Sequence, residues 1–112
     1  MTTKSAILEA KDLATETVTV PEWGVDVVIR AMPGTERDAF DQSLSESGKL
    51  DVSNIRARLL VKTIVDENGD RMFADGEAQA LGNKSASALD RCFVVAQRLN
   101  GMGKEKEEIA KN

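Results

Sequence analysis

Two short stretches of this chain alternate strictly between apolar and polar positions. In the first, residues 15–20, Val18 and Val20 share one side while Thr17 and Thr19 take the other. In the second, residues 25–30, Val25, Val27 and Ile29 oppose Asp26, Val28 and Arg30. A period of two is the signature of a half-buried strand. The intervening Pro21-Glu22-Trp23-Gly24 supplies a turn-starting proline and a glycine free to take positive φ. The pattern predicts an antiparallel β-hairpin. A lone hairpin is marginal in water, so its Val18, Val20, Val27 and Ile29 face must pack on helices.

Helical spacing dominates elsewhere. Ser5 is positioned to cap one or two turns over residues 5–13, with Ile7 and Leu8 touching the body. Met32-Pro33-Gly34 breaks the second strand. Thr35, with Asp38 three residues on, predicts a capped helix over 36–44 that buries Ala39, Phe40 and Leu44. Residues 43–49 read as a polar, mobile loop ending at Gly48. After Asp51 or Ser53, the positions Val52, Ile55, Leu59, Leu60 and Ile64 make an apolar face, with Arg56, Arg58 and Lys62 on the wet side. Asn68-Gly69 predicts a type I′ turn. Asp75 reads as the cap of a short helix over 77–81, closed by Gly82. The longest stripe follows Asn83 or Ser85: Leu89, Cys92, Phe93, Ala96 and Leu99. It should stop at Asn100-Gly101. Residues 104–112 are charged, with Ile109 the one large apolar side chain. The expectation is an α+β fold: a mainly α-helical small domain with one N-terminal antiparallel β-hairpin. Residues 1–103 form a single globular domain and 104–112 a dispensable charged C-terminal tail.

Composition narrows the function. The chain has 112 residues, a formal charge of −4, one cysteine and no histidine. The acid surplus argues against a nucleic-acid partner, whose phosphates demand a basic footprint. Missing histidine removes the commonest general base and metal ligand, and no apolar run is long enough for a membrane span. Cys92 lies on an apolar stripe with no base to activate it, so it reads as an inert core thiol. Asp66, Asn68 and Asp70 are spaced like the start of a calcium loop, but Arg71 stands where such a loop needs glycine, and a tight turn explains them more simply. The chain is expected not to be an enzyme and to need no cofactor.

Three apolar residues stand out as partner-binding candidates. Trp23 occupies the hairpin connection, where it either folds back over the body or docks on a partner; Trp is enriched among interface anchors. Val94 shares its helix face with Asp90, Gln97 and Arg98. Val28 lies on the polar face of the hairpin, and beside Val94 it would complete a small patch for self-association.

The blocks Val20-Pro21-Glu22-Trp23-Gly24, Arg30 and Arg37-Asp38-Ala39-Phe40 occur in that order. The turn Asp66, Glu67, Gly69, Arg71 and Phe73 follows, and then Leu99-Asn100-Gly101. In this order and at this length the chain resembles the tail assembly chaperones of siphovirus-like bacteriophages. Val25 departs from that pattern, which often carries a second glycine after Trp-Gly. The resemblance implies a mainly helical protein that associates with itself and binds the tape measure protein until tail tube protein displaces it. It implies action in the bacterial host cytoplasm and absence from the mature virion. It also implies a longer form made by ribosomal frameshift, for which Lys111-Asn112 permits a slippery codon pair. The alternative from another class is a structural head–tail connector or minor tail protein of the virion.

Overall fold

Residues 15–30 form the hairpin that their alternation predicts. Strand β1 (Thr15–Val20) pairs antiparallel with β2 (Val25–Arg30), in a register that sets Thr15 opposite Arg30 and Val20 opposite Val25. The computed structural model describes residues 2–46 and 48–102 of the chain. Five α-helices accompany the sheet among these: α1 (Thr3–Glu9), α2 (Gly34–Ser43), α3 (Ile55–Thr63), α4 (Ala78–Gly82) and α5 (Ala86–Leu99). The fold is α+β.

Val20, Val27 and Ile29 are buried and Val18 is half-buried on one face of the hairpin, against α5 and the end of α3. Ala88, Leu89, Cys92 and Ala96 supply the α5 side of this core, and Ala57, Leu59, Leu60 and Val61 the α3 side. Each large aliphatic side chain so enclosed contributes roughly 1.5–3 kcal/mol. Two ion pairs fasten the hairpin to α5: Glu16 with Arg98 at 2.7 Å and Glu22 with Arg91 at 2.9 Å. Ser85 caps α5, its Oγ accepting the Ala88 N–H at 3.3 Å, and Gly101 ends it in the left-handed region.

A third strand was not anticipated. β3 (Ile64–Val65) follows α3 directly and pairs antiparallel with β2, Val28 opposite Val65 and Ile29 opposite Ile64. Ile64, expected as the last apolar position of the helix, is instead extended at φ −76°, ψ 125°. Two β-branched residues favour that backbone, and β2 offers an open edge to pair with.

Several local expectations are corrected. Thr2, not Ser5, caps α1, accepting the Ser5 N–H at 3.2 Å. Ile7 and Leu8 do not touch the body; they are 66% and 74% exposed. Helix α2 starts at Gly34, behind Pro33 and with no side-chain cap, so Thr35 lies inside it. Pro33 presets the entry backbone, and Glu36 in the first turn offsets the helix dipole. Phe40 is fully buried, but Ala39 is exposed and Leu44 only half-buried. Val52 is exposed, while Arg58 is half-buried because its guanidinium reaches the Ser43 and Asp51 carbonyls at 3.0 and 2.9 Å. The 66–70 turn is not type I′, which needs positive φ at both central residues. Gly69 has φ 85°, but Asn54 is the only non-glycine described with positive φ. Asp75 does not cap a helix; it opens a 3-10 turn (Asp75–Glu77) whose Glu77 carboxylate accepts the Ala74 N–H at 2.8 Å. Phe93 is half-buried, with the Arg56 guanidinium 6.0 Å from its ring centre. The expected charged tail, 104–112, lies outside the described residues.

Cys92 is fully buried, and burial, helped by the negative charge of Glu22, pushes its thiol up to about 11. At pH 8 the folded protein should therefore resist alkylation by iodoacetamide, reacting fully only after denaturation, as read by intact mass. Rapid native labelling would show that α5 opens readily.

Candidate partner-binding surface

The hairpin connection is wound tightly enough to hold a large ring at its tip. Trp23 and Gly24 both donate their N–H groups to the Val20 carbonyl, at 3.1 and 3.0 Å, and Gly24 sits at φ 67°. A side chain at Gly24 would strain that backbone. Glu22 beside it is exposed and its carboxyl is held below the usual range, first by its own backbone N–H and then by Arg91.

Trp23 folds back over the body and also borders open surface. It is half-buried, packed against the core, and its ring N–H is buried without an acceptor among the described residues. With Val25, Phe73, Ala80, Leu81 and Lys84 it also lines an apolar groove of about 340 Å³. The groove walls come from three places. Val25 is the first residue of β2, and 54% exposed. Phe73 follows the Val65–Arg71 bridge, where the Met72 N–H donates to the Ile64 carbonyl at 3.1 Å. Leu81 and Lys84 end α4 and the turn after it.

The structure does not bring Val28 and Val94 together. Val28 points to the sheet face away from α5, where it stands beside the buried Val65. Val94 is 60% exposed on the outer side of α5. Two separate surfaces thus stand where adjacency would have made a single patch. Behind the sheet, a second hollow of about 300 Å³ is lined by residues 10–13, Thr15, Arg30, Val65 and Gly69.

The calcium-like spacing has a different use. Asp66 Oδ1 accepts the N–H groups of Asn68 and Asp70, at 2.8 and 3.1 Å, so its carboxylate closes the turn. No cluster of three or more metal-ligating side chains occurs among the described residues. No described helix is long and apolar enough to cross a membrane.

A sequence model described as phage tail assembly chaperone matches residues 2–112. The chain belongs to that family. The fold is shared with the solved structure of the bacteriophage HK97 tail assembly chaperone, at a TM-score of 0.59 and 22% identity, over 87% of this chain and 92% of that one. No curated protein matches the chain significantly. The residues that carry this chaperone's sequence resemblance turn out mostly to build the fold. Arg30 and Arg71 bond the Lys62 and Val61 carbonyls, at 3.0 Å each, and so cap the C-terminus of α3. Asn100 accepts the Met32 N–H at 2.7 Å and donates to the Ala96 carbonyl at 2.8 Å, while Arg37 donates to the Asn100 carbonyl at 2.8 Å. Trp23 and Phe73 are the members of these blocks that line the apolar groove.

Proposed function

We propose that this tail assembly chaperone is a holdase: it binds apolar segments of the tape measure protein, keeps that protein soluble, and yields it to tail tube protein. The observation that carries this reading is the apolar groove of Trp23, Val25, Phe73 and Leu81, opening on a domain of net charge −4. A long, partly apolar chain covered by several such domains loses exposed apolar surface and gains like charge, and both oppose aggregation. Copies not engaged with it associate with one another. Val94 and Val28 are further contact candidates on separate faces. The work calls for no catalysis, cofactor or nucleic acid; it belongs in the host cytoplasm during assembly, and the protein leaves before the virion is complete.

Co-expression with the tape measure protein tests this. The wild-type chain should raise the soluble fraction of its partner, co-purify with it in 1 M salt, and be missing from purified virions. Trp23→Ala should weaken capture about tenfold, the usual scale for an interface anchor, and Val94→Asp should weaken it if α5 also contacts the partner. A wild-type chain that neither solubilises nor co-purifies with the tape measure protein sinks the reading. Stoichiometric presence in mature particles would favour a connector or minor tail protein instead.

A further inference from the structure

Among the described residues, helix α1 contributes nothing to the interior. None of its residues is buried, and it presents Ile7 and Leu8 side by side to solvent, followed by Glu9. Seven residues are too few to hold a helix in water by themselves. A segment of this kind gains stability by seating its apolar side on another surface. We propose that, in copies not yet engaged with the tape measure protein, α1 of one copy docks in the Trp23–Val25–Phe73–Leu81 groove of a second copy, the groove that a tape measure segment then takes over. The proposal rests on the reading that copies associate and names the two surfaces involved.

The geometry separates donor and acceptor. The arm is anchored at the Thr15 end of β1, where the Ala14 carbonyl accepts the Ala31 N–H at 2.8 Å. Its connecting residues 10–13 line the hollow on the sheet face that carries Arg30 and Val65. The groove opens at the other end of the hairpin, a strand length of about 20 Å away. It lies beside Val25, whose side chain follows the α5 side of the sheet by alternation with Val27 and Ile29. The arm of a chain is therefore led away from its own groove, in direction and in face. A second copy meets no such restriction.

Charge fixes the polarity of docking. Among the described residues, Lys84 is the one charged residue lining the groove. Glu9 ends α1, where the helix dipole is also negative, so the C-terminal end of the arm belongs at Lys84. Ile7 and Leu8 then fall over Trp23, Phe73 and Leu81. Because each copy gives an arm from one end and takes an arm at the other, the contact is heterologous.

Sedimentation of the purified full-length chain alone, across a concentration series, tests this without any tape measure protein. Wild type should associate with rising concentration. Ile7→Asp with Leu8→Asp damages the arm, and Val25→Asp damages the groove. All three positions are more than half exposed, so each variant should keep the wild-type melting temperature. Each variant alone should associate at least about tenfold more weakly, since a buried anchor is lost. Mixed in equal amounts they should form pairs of near-wild-type strength, because one retains an intact groove and the other an intact arm. Glu9→Lys should weaken association, and Lys84→Glu in the same chain should restore it. If wild type associates but the arm variant associates equally well, or the mixture fails to pair, the α1 assignment is wrong while self-association stands. If wild type stays monomeric at every concentration, the self-association reading falls and takes this proposal with it. If Val25→Asp associates as wild type does and loses only tape measure capture, the groove serves the partner alone and the proposal is overturned.

Discussion

Phe40→Ala should destabilise the protein by about 3–5 kcal/mol, the range for emptying a fully enclosed aromatic site. Phe40 is 0% exposed and the largest of the wholly buried side chains. It plugs α2 into the core beside α3 and is the one buried side chain of that helix, whose remaining residues are exposed or half-buried. Domains of this size hold about 5–15 kcal/mol in all, so the variant should be partly unfolded at 37 °C. Chemical denaturation gives the measurement, and Phe40→Leu is the control, since a larger aliphatic refills part of the cavity and should recover a good share of the loss. The same truncation at Phe93 should cost distinctly less. Phe93 faced the core in the periodicity of α5, but it is only half-buried, so part of its ring stays wet in either variant. Equal losses at 40 and 93 would mean that α2 is not a fixed part of the core.

The contrast between those two phenylalanines shows what the sequence made legible. Periodicity places a residue on a face, and it placed Phe93 correctly on the inward side of α5. Depth depends on what lies opposite, which periodicity does not carry. The hairpin was readable to the residue because two alternating runs met at Pro21 and Gly24, and because both signals act locally. The strand β3 was not: two residues at the end of a helical pattern have no period of their own, and only the open edge of β2, thirty-odd positions away, makes them extended. Helix α1 was expected to touch the body on the strength of Ile7 and Leu8, since apolar side chains usually find cover. Among the described residues that cover is missing, and both side chains stand exposed. For the candidate surface, Trp23 was visible as a residue out of place. Its companions Phe73, Leu81 and Lys84 were not, because the groove is assembled from segments some fifty residues apart. Val28 and Val94 were each correctly judged out of pattern, but a whole sheet and helix stand between them.

Arg30→Ala should cost about 2–4 kcal/mol, the largest loss expected from any polar substitution here. The last carbonyls of a helix have no partners within it, and at the end of α3 arginines supply them. Arg30 donates through Nη2 to the Lys62 carbonyl at 3.0 Å and to Glu36 Oε2 at 2.5 Å, with its side chain only 11% exposed. Arg71 donates to the Val61 carbonyl at 3.0 Å, to Asp75 at 2.7 Å, and stands 3.5 Å from Glu36 Oε1. Lys62 joins at Asp75, 3.3 Å away. Arg71, and then Lys62, hold the Asp75 carboxyl below its usual range. Removing Arg30 leaves Glu36 half-desolvated with one cation instead of two, and strips the cap from the Lys62 carbonyl. Breaking a fully buried pair costs about 3–5 kcal/mol, and the partial exposure of Glu36 lowers that figure. Arg30→Lys should recover less than half of the loss, because a point charge cannot serve a carboxylate and a carbonyl as a planar fork does. A double-mutant cycle with Glu36→Gln should show coupling of about 1–2 kcal/mol, and it should persist in 1 M salt, where exposed pairs are screened beyond about 3 Å. Equal stability of Arg30→Ala and wild type would mean that solvent satisfies the end of α3 unaided.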